Sequence, residues 1–380
     1  MTKIEKILNG KSGDTVNIIP DYYAINDGEG YKAAYKVYES DSIKYPEKAL
    51  IVIDHDVPAG NSESSVIFEK LVKFSKKFDI KFIQAKGITY SILSNKFVKS
   101  QNIIASCGSH NSIYGAKGAL GLQVGEDELS SILTNGNFEF KIPETVLVEL
   151  DGKLKDESPI DLFINFLSEF GNEIFTNKVI EFTGDGLNEL SKEALTVLCS
   201  MATRTGAITA LVNTDPVGDY SKKEKFDLGQ VKSAIAMPVE SKDSDFVSKD
   251  ANDLKGQEFN AGFIGGYTGG NIEDLRHAAS LMKEKHIAFG FRLNICPATS
   301  DVYLQALNEG LIDTFIDFGA QIIATSDRNV TLQGAGVVGS KEKIITTGSY
   351  NFSGCLGSDD AKVYIGSVDN VVRMSLDKKL

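Results

Sequence analysis

Cysteine is scarce in this sequence. Its 380 residues include four cysteines, and no two of them form a Cys-x-x-Cys pair. They are Cys107, Cys199, Cys296 and Cys355. Widely spaced cysteines in a chain of this size support neither a disulfide framework nor a zinc site built on such a pair. Cys199 lies on the apolar face of a predicted helix and is expected to be a core residue.

Long apolar runs are missing as well. No segment approaches the roughly 18 consecutive apolar residues that a membrane-spanning helix needs. The first residues mix charged with apolar side chains, unlike the core of a secretory signal. We therefore expect a cytoplasmic protein without membrane contact. The net charge of −12 would repel phosphates, which argues against non-specific nucleic-acid binding.

The composition is globular, with 42% hydrophobic and 24% charged residues. A chain of 380 residues is too long for one ordinary core, so two or three α/β units are expected. Residues 49–54 and 79–84 are typical of buried strands, and residues 65–78 have the spacing of an amphipathic helix. This alternation predicts mostly parallel sheets covered by helices. The charged stretch 216–259 is predicted to be a surface connection.

Several short blocks resemble, in order, the large subunits of isopropylmalate dehydratase and homoaconitase in the aconitase superfamily. They lie at residues 2–8, 12–14, 26–28, 54–58, 109–110, 115–121, 124–125, 181–184, 190–191, 198–202, 206–207, 265–268, 272–276, 305–306, 309–311 and 351–354. The resemblance implies an α/β protein with three α/β/α domains of the aconitase large-subunit type around a central cleft. The domains are expected at 1–140, 141–255 (with the connection at 216–259) and 256–380.

The resemblance also implies a swivelling domain that carries a Ser-Ser-Arg block. No Ser-Ser-Arg occurs in this sequence, so no swivel domain is expected in this chain. A small swivel-type subunit is a possible partner, and a small carboxylate is the expected ligand.

The cysteines that hold the [4Fe-4S] cluster of the family are replaced here. Tyr267, Asp327 and Val330 stand at the three positions, and a phenol, a carboxylate and an isopropyl group cannot hold a cluster of soft iron and sulfide. No cofactor is therefore expected. Two alternatives stay open: a relocated metal or cluster site, or a reactive thiol, at Cys107, Cys296 and Cys355.

The substrate-binding block of the family has changed too. The resemblance implies two arginines that clamp carboxylates, and Tyr350 and Cys355 stand in their places. Gly108 replaces the aspartate of an Asp-Ser-His block. The candidate substrate-binding residues are Thr268, Tyr350, Asn351 and Cys355.

Five candidate catalytic residues remain at positions that the resemblance assigns to the active site. They are Asp54, His55, Ser109, His110 and Glu181. A histidine beside a carboxylate, as in Asp54-His55, can be held in one tautomer and donate a proton to a departing hydroxyl. Ser109 is expected to orient His110. The alternative for each histidine is a structural hydrogen bond.

Three further features concern a glycine-rich segment, a possible metal site and the two remaining histidines. The glycine-rich residues 265–270 are either a tight turn or an anion site. Asp327 with Glu181 and histidines is an alternative site for a hard divalent ion. His277 and His286 are expected at the surface.

Two functions follow from these residues. One is a hydro-lyase that adds or removes water on a small hydroxy-carboxylate, with altered specificity and without the standard cluster. The alternative is a non-catalytic, degenerate paralogue that binds a small metabolite or a partner protein. The sequence leaves open whether the protein is an enzyme.

Overall fold

Three mostly parallel sheets and one short antiparallel pair carry the described part of the chain. The structure is a computed structural model that describes residues 1–155, 158–171, 173–242, 244–327, 330 and 334–377. The strands are β1 Thr15–Ile18, β2 Tyr22–Asn26, β3 Ala49–Ile53, β4 Lys81–Gln84, β5 Ile103–Ser106, β6 Leu120–Gln123, β7 Phe138–Lys141, β8 Thr145–Asp151, β9 Val179–Thr183, β10 Thr209–Val212, β11 Lys222–Asp227, β12 Ala234–Ala236, β13 Ser248–Asp250, β14 Ala261–Gly265, β15 Arg292–Cys296, β16 Gln321–Ile322, β17 Lys343–Thr346 and β18 Lys362–Ile365.

Helices cover the faces of these sheets. The α-helices are α1 Lys3–Leu8, α2 Tyr31–Lys36, α3 Ser62–Phe78, α4 Thr89–Lys96, α5 Glu126–Asn135, α6 Pro159–Phe170, α7 Lys192–Met201, α8 Gly266–Gly269, α9 Ile272–Met282, α10 Ser300–Asn308, α11 Leu311–Phe318 and α12 Val368–Asp377. Short 3₁₀ helices include Asn111–Lys117 and Ala202–Thr205. Within the described ranges, no helix has the length and apolar character needed to cross a membrane.

The first sheet has the strand order β4-β3-β2-β5-β6, and all of its pairings are parallel. Every residue of β3 is buried, which explains its unbroken apolar sequence. The predicted strands at 49–54 and 79–84 and the predicted helix at 65–78 are confirmed as β3, β4 and α3. Asn61 caps α3 by accepting a hydrogen bond from the backbone of Ser64.

The second and third sheets follow the same principle. The second has the order β10-β9-β8-β11 and is parallel throughout. The third has the order β13-β12-β18-β17-β14-β15-β16, with antiparallel pairing only where β12 meets β13 and β18. The expected α/β class with mostly parallel sheets is therefore confirmed.

The charged stretch 216–259 is not a simple connection. It contains β11, at the edge of the second sheet, and β12 and β13, which extend the third sheet. Lys222, Lys223 and Lys225 of β11 are exposed while Phe226 is buried. An edge strand exposes charged side chains. The charged composition of this stretch therefore led to the prediction of a loop, although β11 is paired in the sheet. The domain boundaries at 140 and 255 stay a prediction.

Parallel strands bring their carboxyl ends to one edge of a sheet, where ligands bind in open α/β folds. Residues that follow β3, β5, β14 and β17 are the ones that carry the site: Asp54 and His55, Ser109 and His110, Tyr267, and Tyr350. The fold thus places the candidate residues from separate blocks around one cavity.

Candidate active site

A cavity of about 750 Å³ lies at these strand ends. Its size is ordinary for a small-molecule site. His55, Ser109 and His110 line it, and so do all three positions that the resemblance assigns to cluster cysteines, Tyr267, Asp327 and Val330. Residues chosen from distant blocks of the sequence are therefore neighbours in the structure. Of the five candidate catalytic residues, His55, Ser109 and His110 line the cavity.

His55 is held by two aspartates. Its Nδ1 lies 2.7 Å from Oδ1 of Asp54, and Oδ2 of Asp54 accepts a hydrogen bond of 2.7 Å from the backbone N–H of Thr89. Asp27 accepts the backbone N–H groups of Asp54, His55 and Asp56 at 2.8, 3.0 and 3.0 Å. These contacts fix the loop after β3 and the orientation of the imidazole ring.

The two aspartates also set the charge of His55. Burial disfavours the imidazolium, but the charge of Asp54, with that of Asp27, outweighs it and raises the pKa of His55 well above its usual value. The pKa of Asp27 is lowered despite burial, because it accepts hydrogen bonds and faces His55. About a third of the His55 side chain, 32%, stays exposed. His55 is therefore a protonated histidine that the cavity can reach.

The environment of His110 is the opposite. Its Nδ1 lies 2.9 Å from the carbonyl oxygen of Ser200, and because a carbonyl only accepts, Nδ1 carries the hydrogen and Nε2 keeps its lone pair. In the described structure, Nε2 is buried without a hydrogen-bond partner. Burial lowers the pKa of His110 to about 4. His110 is a neutral histidine with a free basic nitrogen.

Three tyrosines surround the His110 ring. Ring centroids of Tyr267 and Tyr350 lie 5.2 Å from it, and that of Tyr90 lies 6.4 Å from it. The Ser109 hydroxyl hydrogen-bonds the Tyr350 hydroxyl. The orienting role expected of Ser109 therefore belongs to the Ser200 carbonyl instead.

Gly108 is explained by Tyr90. A Cβ at Gly108 would overlap the hydroxyl oxygen of Tyr90, which also accepts a hydrogen bond of 3.3 Å from the backbone N–H of His110. The phenol thus occupies the space in which the aspartate implied by the resemblance would begin. Gly28 is similar, because a Cβ there would overlap the imidazole of His55.

Glu181 lies away from the cavity. Its carboxylate accepts hydrogen bonds from the backbone of Ile4 at 3.1 Å, from Asn213 at 2.7 Å and from Tyr220 at 2.9 Å. These donors tie α1 to the second sheet. Glu181 is not among the residues that line the cavity, and the catalytic role expected of it stays a prediction.

The candidate substrate-binding residues separate into two groups. Tyr350 lines the cavity. Thr268 donates to the carbonyl of Thr347 at 2.7 Å, and Asn351 donates to the carbonyl of Met237. Cys355 is fully buried. Thr268, Asn351 and Cys355 are not among the residues that line the cavity, and the substrate-binding role expected of them stays a prediction. Thr268 also lies within a turn of helix rather than an open anion loop.

The residues present do not fit a [4Fe-4S] cluster. The three expected thiolate positions supply no sulfur, and the described chain brings no three cysteines together as ligands. Cys296 is buried and directs its thiol to the carbonyls of Ala324 and Ser326. Cys107 lines the cavity, but burial raises the pKa of its thiol to about 12, which argues against a reactive thiolate.

A hard divalent ion fits no better. Over the described ranges, the one group of three possible ligands is Asp27, Asp54 and His55. Their carboxylates already accept four backbone N–H groups and face the imidazole. The site predicted from Asp327 and Glu181 is not assembled, because Glu181 lies elsewhere. The acidic pair holds a proton on His55 and leaves few lone pairs for a metal.

Arg204 is the functional residue that the sequence analysis missed. It lies in the 3₁₀ turn Ala202–Thr205, and its guanidinium donates to the carbonyl of Ser349 and, at 3.0 Å, to Oδ1 of Asn351. The guanidinium lies 5.5 Å from the Tyr350 ring centroid. One signal was available: the chain has only five arginines, and this one lies between the blocks at 198–202 and 206–207. Asp27 had a similar signal, because it lies in the block at 26–28, and Tyr90 had none.

Comparisons with known proteins agree with this architecture. The aconitase family (aconitate hydratase) matches residues 4–225 and 216–377. The methanogen homoaconitase large subunit of Methanocaldococcus jannaschii is 28% identical, over 97% of this chain and 96% of that protein. The 3-isopropylmalate dehydratase large subunit of Picrophilus torridus is 28% identical, over 99% and 97%.

A solved structure gives the same result for the fold. The holo-form crystal structure of Thermococcus kodakaraensis aconitase X matches with a TM-score of 0.55 and 13% identity, over 88% of this chain and 84% of that one. At that identity the likeness concerns the fold alone. The family match covers nearly the whole chain, and this chain therefore belongs to the aconitase family.

Proposed function

We propose that this protein is a hydro-lyase that adds or removes water on a small hydroxy-carboxylate. Its specificity differs from that of the relatives, and it works without the standard [4Fe-4S] cluster or another resident cofactor. The carrying observation is that one cavity holds two histidines with opposite protonation states, His55 and His110. Groups whose environments push their pKa values apart are suited to act as an acid and base pair.

The reaction uses the two nitrogens in turn. Nε2 of His110 takes a proton from the carbon next to the substrate carboxylate. The electron pair of that C–H bond forms the carbon–carbon double bond as the C–O bond breaks. The imidazolium of His55 gives its proton to the departing hydroxyl, which leaves as water. Each proton transfer by a positioned side chain contributes about 100-fold to 10,000-fold in rate.

Asp54 and Asp27 are positioning residues in this scheme. They keep His55 protonated and hold its ring, with Nδ1 of His55 2.7 Å from Asp54. Ser200 does the same for His110 through its carbonyl at 2.9 Å. Tyr350 lines the cavity and is hydrogen-bonded to Ser109, so that it lies beside the substrate in this scheme.

The test is an assay for formation and loss of a conjugated double bond by ultraviolet absorbance, with a panel of hydroxy-di- and tricarboxylates and their unsaturated products. Iron and sulfide are measured in the same anaerobic preparation. We expect turnover in protein free of iron, and a loss of at least about 100-fold in His55→Gln and in His110→Gln. His277→Gln, at an exposed histidine, is the matched control. Turnover that requires a reconstituted cluster would contradict the proposal.

A non-catalytic paralogue that binds a small metabolite or a partner protein is the second candidate. One observation favours it: Nε2 of His110 is buried behind aromatic rings, so turnover requires a ring to shift when substrate enters. A binding protein needs no such movement. Carboxylate binding without any turnover in the same assay would support this candidate.

We further propose that the protein works in the cytoplasm with a separate small swivel-type subunit. The support is that the relatives from Methanocaldococcus jannaschii and Picrophilus torridus are named as large subunits. Size-exclusion chromatography with a small chain that carries a Ser-Ser-Arg block tests this. A shared peak with increased turnover is the expected result, and separate peaks with unchanged turnover would contradict it.

A further inference from the structure

We propose that Arg204 is the carboxylate-binding cation of this protein, and that it acts from a second cavity beside the two histidines. The inference rests on the proposed function, because it identifies the part of the substrate that the site recognises. It makes Arg204 a determinant of specificity for a substrate with a carboxylate remote from the reacting carbons.

The second cavity is about 390 Å³ and continues from the first. Both cavities are lined by Ser109, Gln123, Lys242 and Tyr350. Arg204 lines the second one only. Because the two share a wall, one molecule can extend from His55 and His110 past Tyr350 to the guanidinium.

The charges of the second cavity favour an anion. Arg204 and Lys242 supply two cations, and Glu173 is the opposing carboxylate. Among the described side chains, Arg204 forms no ion pair with any carboxylate, Glu173 included. Burial lowers the pKa of Arg204, as expected for a cation with poor access to water. Its hydrogen bonds to the Ser349 carbonyl and to Asn351 leave further N–H groups of the guanidinium for a ligand.

Arg204 also lies where a clamp arginine has been lost. Tyr350 and Cys355 occupy the positions that the resemblance assigns to two arginines. The Arg204 guanidinium lies 5.5 Å from the Tyr350 ring centroid, and its charge opposes the rise in the pKa of the Cys355 thiol that burial causes. Arg204 and Ser349, which its guanidinium contacts, are 145 residues apart in the chain. A cation therefore lies beside a position at which the resemblance implies an arginine.

Calorimetric titration of the full chain tests this inference. The probes are propane-1,2,3-tricarboxylate and malonate, with malonamide as a neutral analogue. Arg204→Gln should weaken carboxylate binding by about 10-fold to 100-fold, the usual effect of losing a charge-assisted hydrogen bond. The affinity of Arg204→Lys should lie between those of wild type and Arg204→Gln, because lysine keeps the positive charge but cannot form two parallel hydrogen bonds to a carboxylate. Arg373→Gln, at an exposed arginine of α12, is the matched control and should bind as wild type does.

A rescue variant separates binding from a merely structural role, since Arg204 also holds the loop at Ser349 and Asn351. In Arg204→Gln combined with Tyr350→Arg, the cation returns to the position that the resemblance implies. We expect this double variant to recover at least about 5-fold of the lost affinity for the tricarboxylate. A purely structural Arg204 would not be replaced in this way, so failure to recover would overturn the inference.

The remaining outcomes are distinct from those of the hydro-lyase assay. If Arg204→Gln binds carboxylates as wild type does, or weakens malonamide as much as malonate, the inference is wrong even where turnover depends on His55 and His110. If wild type binds none of the carboxylates, the inference is wrong as well. Selective loss of carboxylate binding supports it, whatever the turnover.

Discussion

His55 and His110 line one cavity, yet they differ in every contact that sets their charge. His55 faces two carboxylates, Asp54 and Asp27, and remains partly exposed. His110 faces a carbonyl and aromatic rings and is 2% exposed. The same side chain therefore has a raised pKa at one place and a lowered pKa at the other. Burial acts to lower the pKa of both histidines, but the two carboxylates outweigh burial at His55, and the single hydrogen bond to the Ser200 carbonyl does not outweigh it at His110.

The largest effect should come from removing the charge that makes the two histidines differ. Asp54→Asn keeps the shape and the acceptor for Thr89, but it removes the negative charge beside His55. We expect turnover to fall by about 100-fold to 10,000-fold, together with a lower pKa of His55 measured by NMR titration. An unchanged pKa of His55 would show that Asp27 alone sets its charge.

Two glycines allow each histidine to be disturbed separately. Gly28→Ala pushes on the imidazole of His55, and displacement of a reacting group by about 1 Å lowers turnover by about 100-fold. Gly108→Ala meets the buried phenol of Tyr90, and overpacking of this kind lowers the free energy of unfolding by about 1–3 kcal/mol. Chemical denaturation and turnover are measured on both. Equal effects of the two variants on turnover and on stability would contradict the comparison.

The effect of His110 on the free energy of unfolding should be seen at acid pH. Its pKa is about 4 in the folded protein, whereas an unfolded histidine titrates near pH 6.5. The folded state binds fewer protons, so the stability from neutral His110 is present above about pH 6.5 and is lost as pH falls toward 4. From pH 7 to pH 5, wild type should lose about 2 kcal/mol more than His110→Gln. Parallel curves of unfolding free energy against pH would be the contrary result.

Alkali should reveal His55, with the opposite sign. Its pKa is raised in the folded protein, so the folded state binds more protons than the unfolded one. The stability from protonated His55 is present below about pH 6.5 and is lost as pH rises through the folded pKa. His55→Gln should therefore flatten the alkaline side of the stability curve. The same denaturation series measures both.

The smallest effect belongs to the surface histidines. His277 lies at the surface, as expected from the sequence, and its Nε2 is 2.8 Å from an exposed oxygen of Asp369. Exposed ion pairs contribute between 0 and about 1 kcal/mol. We expect His277→Gln to change stability by less than about 0.5 kcal/mol and turnover not at all. A larger change would show that position in the cavity is not what separates the two classes of histidine.

The sequence predicted what depends on local pattern. The buried strand β3 and the helix α3 follow from the spacing of apolar residues. The edge strand β11 was missed, because its charged side chains are typical of both a loop and a solvated strand. Strand pairing across the sheet decides between the two, and a single sequence does not record it.

The sequence predicted where His55 and His110 lie, but not that their pKa values shift in opposite directions. The blocks around His55 and His110 placed both histidines in one cavity, where the structure has them. The charge of Asp27, which lies 28 residues away in the chain, helps to raise the pKa of His55, and burial in the folded chain lowers the pKa of His110. The hydrogen-bond partners of Glu181, at Ile4, Asn213 and Tyr220, likewise come together only in the folded chain.

The contact between Gly108 and Tyr90 has a historical consequence. Any side chain larger than hydrogen at position 108 must first displace the phenol. A substitution that restored an aspartate there would therefore be harmful until Tyr90 had changed, although each change alone is a single step. The order of mutations therefore matters, because position 90 has to change before a larger side chain fits at position 108.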